Sequence, residues 1–227
     1  MKIHLKILLL AISLYSCNNN AGEIVSSYPN GKVKEKIYFP DGKDSLANKE
    51  TYIEEYYQNG KIRQSGFMLD NQKNGLWESF YEDGEAHFIK NFENGIENGF
   101  RQTFSKNGSW TMSKISEGIL NGKTTAWNYD SLTSAFQLVT GEYLNGRKDG
   151  MWTYKDTAKH KLMEITYSNG TKNGVYYQFH SNEIVSIKGY YKNDVLNDTV
   201  TVYDNQGNIV SIVVYDNGNQ IQEEKMR

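Results

Sequence analysis

The chain has almost no cysteine or proline. Cys17 is the single cysteine in 227 residues, so no internal disulfide can form. With two prolines and 38% hydrophobic residues, the composition is that of a folded chain rather than a disordered one. The longest apolar run, over residues 7–12 and followed by Leu14, is shorter than the roughly 20 residues that a membrane-spanning helix needs.

Excess charge is also missing. The formal net charge is −2, and residues 1–16 contribute Lys2 and Lys6 but no acid, so the chain from Cys17 onward carries about −4. No basic run is present, which argues against nucleic acid as a partner and makes anionic lipid a poor target for the chain.

Patterns that carry catalysis are absent as well. The chain has no G-x-S-x-G, S-x-x-K, H-E-x-x-H or P-loop motif. His87, His160 and His180 occupy different phases of the repeat described below, so we expect surface turn or strand-end positions and no metal site. The acidic pairs at residues 54–55 and 223–224 would point to opposite faces of a strand. We therefore expect no enzymatic activity and no cofactor.

The amino terminus is typical of an export signal. Lys2 and Lys6 precede the apolar run, which ends in Leu14-Tyr15-Ser16-Cys17. This ending resembles a bacterial lipobox, which implies a signal peptide over residues 1–16 and diacylglycerol on Cys17. Residues 17–22 would then be a short tether, and several acyl chains make a durable anchor. The alternative is an ordinary signal peptide that is cut elsewhere. No acidic run follows Cys17, so we expect a membrane-anchored protein of the cell envelope that faces the periplasm.

Aromatic residues and glycine are abundant. The chain contains 17 Tyr, 9 Phe, 4 Trp and 20 Gly, and the dipeptide Asn-Gly occurs eleven times. Aromatic side chains favour strands, and glycine supplies the positive φ angles of tight turns. The composition therefore predicts an all-β protein.

An internal repeat of about 24 residues organises the chain. Three series of positions share this period. One series predicts turns at Gly75, Gly99, Gly122, Gly150, Gly174 and Asp198; a second runs through Gly60, Gly84 and Gly108; and the third contains Met68, Phe92, Tyr143, Tyr167, Tyr191 and Tyr215.

Each unit reads as a β-hairpin. Strands of about six residues flank Asp-Gly or Asn-Gly, which favours two-residue type I′ turns such as Asp83-Gly84. Longer Asn-Gly-x-x-Asn-Gly connectors, at residues 94–99 and 169–174, are expected to join successive hairpins. About eight units fill residues 23–220, with extra residues at 41–50 and 130–135, and residues 221–227 form a charged tail.

The segments GLWESFYEDG at residues 75–84 and GEYLNGRKDGMW at residues 141–152 resemble the bacterial variant of the MORN repeat. Its pattern is roughly G-x-Y-x-N-G-x-x-x-G-x-W-x-x-Y-Y-x-N-G, and proteins with it are often labelled YwqK-like antitoxins. The resemblance implies an elongated antiparallel sheet or solenoid. Departures from the pattern are Asp198 for Gly, and Ser131 and His160 where a hairpin turn expects Gly.

The aromatic side chains form the one concentrated feature that could bind a ligand. Side chains alternate between the two faces along a strand. If Asp83-Gly84 is a two-residue turn, this alternation places Trp77, Tyr81, Phe88 and Phe92 on one face, with Leu76, Phe80 and Ile89 on the other. Such residues either form the core between repeats or bind protein or glycan as an exposed strip. The candidate ladder consists of Trp77, Phe92, Tyr143, Trp152, Tyr167, Tyr191 and Tyr215.

Three classes of function fit this sequence unequally. A non-enzymatic envelope lipoprotein that binds or scaffolds an unknown protein fits best. An antitoxin role requires a toxin that is itself exported, and an envelope hydrolase would need a convergent acidic or histidine site. Glycan binding is possible, and binding of the repeats to membrane is weakened by the negative charge.

Overall fold

A computed structural model describes residues 22–40, 50–131 and 135–226. Within these ranges the chain contains strands and turns and no helix. The expected signal peptide, Cys17 and most of the tether lie outside the described residues. The strands are β1 (Glu23–Ser27), β2 (Val33–Tyr38), β3 (Glu50–Tyr56), β4 (Ile62–Leu69), β5 (Gln72–Phe80), β6 (Ala86–Glu93), β7 (Ile96–Phe104), β8 (Trp110–Ser116), β9 (Ile119–Asp130), β10 (Ala135–Leu144), β11 (Arg147–Lys155), β12 (Lys161–Ser168), β13 (Thr171–Phe179), β14 (Val185–Lys192), β15 (Val195–Leu196), β16 (Asp198–Tyr203), β17 (Ile209–Asp216) and β18 (Asn219–Lys225).

The strands form one antiparallel meander. Each strand pairs with the next along the chain, except that the short β15 and the following β16 both pair with β14. One 24-residue period therefore equals two strands and two reversals. The predicted all-β architecture of hairpin repeats in an extended antiparallel sheet is confirmed. Residues 221–225, expected in a charged tail, instead belong to β18.

Two-residue turns lie along one edge of the sheet. Asn94 and Gly95 have φ of 48° and 79°, and Asn145 and Gly146 have 50° and 79°, as a type I′ turn requires. Each turn is also bonded to the strand that follows the preceding turn: the N–H of Gly95 donates to the carbonyl of Lys73, the second residue of β5, at 2.8 Å. The same bond recurs at later turns, so the turns stack along this edge.

The opposite edge carries longer loops, which corrects the predicted turn at Asp83-Gly84. Tyr81 donates its N–H to the carbonyl of Glu85, so three residues lie between this bonded pair, and of these Gly84 takes a positive φ of 94°. A type I turn followed by one left-handed residue gives this geometry. The longer loop does not change which side chains of β5 and β6 share a face, because a bulge where Phe80 pairs with Ala86 accommodates the extra residue.

In the loop between β11 and β12, the left-handed residue lies one position before the residue that we expected. We expected a left-handed residue at His160, but it is Lys159 that has a φ of 72°. The N–H of Asp156 donates to the carbonyl of His160, as in the glycine-containing loops. This loop therefore keeps the common geometry although lysine occupies the left-handed position.

The glycines at 75, 99, 122, 150 and 174 lie inside strands rather than in turns. Gly75 has a φ of 67° within β5, and the pairing of β4 with β5 jumps from Gly66–Trp77 to Phe67–Asn74. Gly75 and Leu76 therefore have no partner on β4 and form a bulge. Each predicted Asn-Gly-x-x-Asn-Gly connector is thus a tight turn followed by a bulge in the next strand. Asp198 occupies the equivalent position in the last unit and keeps a positive φ of 68°.

Cross-strand pairing defines two faces of the sheet. Gly75 pairs with Phe92, Trp77 with Lys90 and Ser79 with Phe88, so the predicted placement of Trp77, Phe88 and Phe92 on one face is confirmed. We call this the inner face and the opposite one the outer face. The buried hydrophobic residues of the described chain all lie on the inner face: Trp77, Ile115, Ala126, Val139, Trp152, Ile165, Tyr167, Val200 and Val213.

Candidate binding surfaces on the two faces of the sheet

The aromatic ladder expected from the sequence lies on the inner face and is mostly buried. Trp77, Trp152 and Tyr167 expose only 1%, 2% and 9% of their surface. The remaining members are partly buried: Phe92, Tyr143, Tyr191 and Tyr215.

Residues of the intervening strands fill the gaps in the ladder. The ring of Trp152 lies edge-on between Tyr143 and Tyr167, with centroids at 5.1 and 6.2 Å. Tyr176 meets Tyr191 at 5.3 Å in the same way. These separations are in the range of direct aromatic pairing. The ladder therefore consists of packed groups of rings, Trp77 with Phe92, Trp152 with Tyr143 and Tyr167, and Tyr191 with Tyr176, rather than an open row.

Two glycines that the sequence did not single out make room for the tryptophans. Trp77 pairs with Gly66 on β4, and a Cβ built on Gly66 would lie 2.4 Å from the indole ring. Gly141 stands in the same relation to Trp152, at 2.3 Å. Each indole therefore lies flat on the backbone of the neighbouring strand, where no side chain could be accommodated without movement.

Lysines cover several of these rings. The Nζ atom of Lys73 lies 3.9 Å from the ring centroid of Trp77, and that of Lys148 lies 4.1 Å from Trp152. Both are within the range of cation–π attraction. Burial lowers the pKa of both lysines below the ordinary value. Each lysine precedes its tryptophan by four residues, so the K-x-x-x-W spacing is the sequence signal of this contact.

One repeat replaces this arrangement with an ion pair. Glu97 and Arg101 occupy the positions of Lys73 and Trp77, and Arg101 Nη2 donates to Glu97 Oε2 at 2.8 Å. Lys90 Nζ lies 3.3 Å from the same oxygen. Burial by itself would raise the pKa of Glu97, but the hydrogen bond and charge of Arg101, together with Lys90, hold it below its usual range.

The outer face carries the large apolar side chains that remain exposed. Leu76, Phe100, Met112, Met151 and Tyr190 expose between 38% and 46% of their surface, and their pairing places all five on this face. A sheet whose outer face is apolar at so many positions offers contact area that the fold itself leaves uncovered.

The densest part of the outer face is an aromatic patch at the long β9–β10 hairpin. Trp127 stacks on Phe136 with centroids 5.6 Å apart and planes at 8°, and Tyr129 meets the same ring edge-on at 5.4 Å. Trp110 pairs with both Trp127 and Phe104 across the adjoining strands. We call these five residues the outer aromatic patch: Phe104, Trp110, Trp127, Tyr129 and Phe136.

The patch coincides with a break in the repeat. The spacing of 28 residues between Gly122 and Gly150 replaces the usual 24, and β9 and β10 are the longest strands. Gly108, in the β7–β8 loop, would bring a Cβ within 3.5 Å of Phe136 Cζ, so this loop closely approaches the patch. Parity predicted two apolar faces, but the concentration of rings depends on the pairing of β7, β8, β9 and β10.

The histidines occupy loop and strand-end positions, as expected. His180 Nε2 lies 2.9 Å from the carbonyl oxygen of Tyr203, which fixes it as a donor to the next repeat. His160 Nδ1 lies 3.3 Å from the carboxylate of Asp156 on the surface. Among residues 22–40, 50–131 and 135–226, no three His, Cys, Asp or Glu side chains converge as metal ligands would.

Comparison with known proteins supports the repeat type. The family described as MORN repeat variant matches residues 22–41 and 49–70, which cover β1, β2, β3 and β4. MORN repeats are a non-catalytic, binding type of repeat, and the match indicates this type for the first units of the chain. No curated protein matches the chain. Nor does any helix that could span a membrane occur in the described part of the chain.

Proposed function

We propose that this chain is a non-enzymatic binding module of the cell envelope that holds a protein partner on the outer aromatic patch. The observation that carries this proposal is the concentration of stacked rings on a face that the fold leaves uncovered. Tyr129 exposes 45% of its surface and the neighbouring Met112 41%. Aromatic and methionine side chains are enriched at the buried centres of protein interfaces.

The chemistry of the patch favours a protein over a membrane surface. The outer aromatic patch combines flat rings with tyrosine and tryptophan polar atoms, which can bond a partner's backbone or side chains. The overall negative charge opposes attraction to anionic lipid. An antitoxin role would be one case of this protein binding, with an exported toxin as the partner.

Two double variants with the same residue types test the patch. Met112→Ser with Tyr129→Ser changes one ring of the patch and the exposed methionine beside it, whereas Met151→Ser with Tyr190→Ser changes the same face away from the patch. All four side chains are exposed by 41–46%, so we expect similar stability. The full chain, purified in detergent, captures proteins from envelope extracts; the captured protein is identified, purified and titrated against each variant.

We expect the patch variant to lose at least about tenfold in affinity and the control to stay within about twofold, because truncation of a central contact residue commonly costs about 2 kcal/mol or more. Equal loss in both variants, or undiminished binding by the patch variant, would exclude the patch as the interface.

The envelope position is proposed from the lipobox-like ending at Cys17. Labelling cells with a fatty-acid analogue should mark the wild-type chain and not Cys17→Ser, because only a thiol receives the diacylglycerol. A control with Ser16→Ala keeps a small residue before the cysteine and should remain labelled. Wild-type protein that is unlabelled and stays in the aqueous phase after detergent extraction would contradict the anchor, without affecting the proposed interface.

A further inference from the structure

Two lysines on the inner face are held in fixed positions by rings. Lys148 Nζ lies 4.1 Å from the ring centroid of Trp152, 4.8 Å from that of Tyr167 and 3.3 Å from Tyr154 Oη. Lys172, one repeat later, places its Nζ 4.9 Å from the ring of Tyr191. The rings orient the long side chains, so both ammonium groups stand in a defined row rather than moving freely in solvent.

The described chain pairs neither of these two charges: the one carboxylate bonded to either residue, that of Asp194, accepts the backbone N–H of Lys172 at 2.8 Å and not its ammonium group. Neither ammonium group forms an ion pair with a described carboxylate, in contrast to Arg101 and Lys90, which share Glu97. Between β10 and β17, among the described strand residues, the inner face carries a single carboxylate, that of Asp198. Burial lowers the pKa of Lys148, and the charge of Lys172 lowers it further. An external anion would relieve both effects.

Tyrosine side chains share the inner face with the two lysines. Tyr154, Tyr176 and Tyr191 lie on the same face, and burial raises the pKa of all three, that of Tyr176 to about 12. These phenols therefore stay protonated at neutral pH. The Tyr154 hydroxyl is already bonded to Lys148 and Tyr167, whereas those of Tyr176 and Tyr191 can donate to a ligand oxygen. The row offers both charged and neutral donors.

We propose that the inner face between β11 and β15 binds a linear acidic glycan, with Lys148 and Lys172 each holding one of its carboxylates. Two strands separate the lysines along the sheet, which puts them about 10 Å apart at 4.8 Å per strand. A polyuronate presents carboxylates at intervals along an extended chain, with hydroxyls between them for the tyrosines. This site is on the opposite face from the outer aromatic patch and does not rest on it.

An acidic peptide fits the same row less well. The backbone groups of these strands are already paired in the sheet, so a peptide lying on the face would find no main-chain partners. Extended peptides bind sheets at an edge, where those groups are free. Glycan hydroxyls and carboxylates need only the side-chain donors that this face presents.

The test uses the full chain in detergent with three soluble probes: an oligogalacturonate of defined length, its fully methyl-esterified form, and poly-L-glutamate of similar charge. Lys148→Met with Lys172→Met removes both charges but keeps the apolar stems over the rings. Lys188→Met with Lys192→Met is the control, because it removes two exposed lysines from the outer face of β14. Circular dichroism and thermal melting establish that each variant is folded.

We expect wild-type protein to bind the oligogalacturonate, more weakly at higher salt, and the Lys148/Lys172 variant to lose at least about tenfold, since charged hydrogen bonds are worth about that much each. The control should stay within about twofold. No binding by wild type, equal loss in both variants, or equal binding of the neutral ester would overturn the proposal. Tighter binding of poly-L-glutamate would reassign the row to an acidic peptide and refute the glycan.

Discussion

The indole ring of Trp152 lies on the backbone of Gly141 in the neighbouring strand, with 2.3 Å between the ring and the place where a Cβ would be. The ring then contacts Tyr143 on one side and Tyr167 on the other. A single missing side chain thus lets a tryptophan complete the row of rings on the inner face.

Gly141→Ala should therefore destabilise the fold. The methyl group would force the indole ring out of place, at a loss of about 2–3 kcal/mol in the free energy of unfolding. Gly189→Ala is the matched control, because the closest atom to its Cβ would be Val200 Cγ2 at 3.1 Å. Urea unfolding measures both, and a difference of less than about 1 kcal/mol would mean that the ring accommodates a methyl group without strain.

Gly174→Val should also destabilise the chain. Gly174 has a φ of +132°, and a Cβ there would lie 2.8 Å from Thr166, so backbone strain and a clash combine to a loss of about 3 kcal/mol. Asp198→Gly is the reverse change at the equivalent bulge position, because it places a glycine where aspartate has a strained φ of 68°. We expect it to unfold at the same urea concentration as wild type or higher. A Gly174→Val variant as stable as wild type would contradict the bulge geometry.

The Glu97–Arg101 pair predicts a pH dependence. The pKa of Glu97 is lower in the fold than in the unfolded chain, so its stabilisation is present above about pH 4.5 and is lost as pH falls through the lower folded value. Glu97→Gln should cost about 2 kcal/mol at pH 7, because it leaves two half-buried cations without their carboxylate. The difference from wild type should shrink below pH 4.5.

Glu82→Gln is the control for that experiment, since Glu82 lies in an exposed loop. Its melting temperature should follow that of wild type at every pH. If Glu97→Gln kept a constant difference from wild type down to pH 2, the loss would come from packing rather than from the carboxylate charge.

Deletion of residues 171–194 should leave a folded, shorter protein. It removes β13 and β14 together with the turn that follows them, and it joins the turn at Gly170 to Val195. After the junction the chain continues with a short strand and a bulge, as it does after the other turns. Contacts are mainly between neighbouring strands, so one period can be lost without changing the rest. Deletion of residues 171–182 removes a single strand, reverses every later strand, and should melt far lower. Equal melting temperatures would contradict the repeat unit.

The period, the strands and the shared face of Trp77, Phe88 and Phe92 were predictable from the sequence. They depend on local rules: alternation along a strand, left-handed residues at reversals, and a spacing that repeats. Trp77 and Phe92 share a face because parity survives the hairpin loop between them.

The roles of individual glycines were less predictable. Gly95 forms a turn and Gly99, four residues later, forms a bulge, although both follow asparagine and both have a positive φ. The choice depends on contacts with other strands: the turn at Gly95 is bonded to Lys73, 22 positions earlier, and the bulge at Gly99 lies where the pairing of β6 with β7 shifts from Lys90–Arg101 to Phe92–Glu97. The same reason hid Gly66 and Gly141, which look unremarkable until a tryptophan from the next strand lies on them.

The sequence alone therefore determined that this protein is a chain of β-hairpins with a lipobox-like start, because periodicity and turn chemistry are written in neighbouring residues. Only the tertiary structure decided that the predicted ladder packs as an inner core, that Lys148 and Lys172 lie over it without carboxylate partners, and that the outer aromatic patch gathers at the irregular repeat. Each of these features is a relation between side chains of different strands, and the register of the sheet is what brings them together.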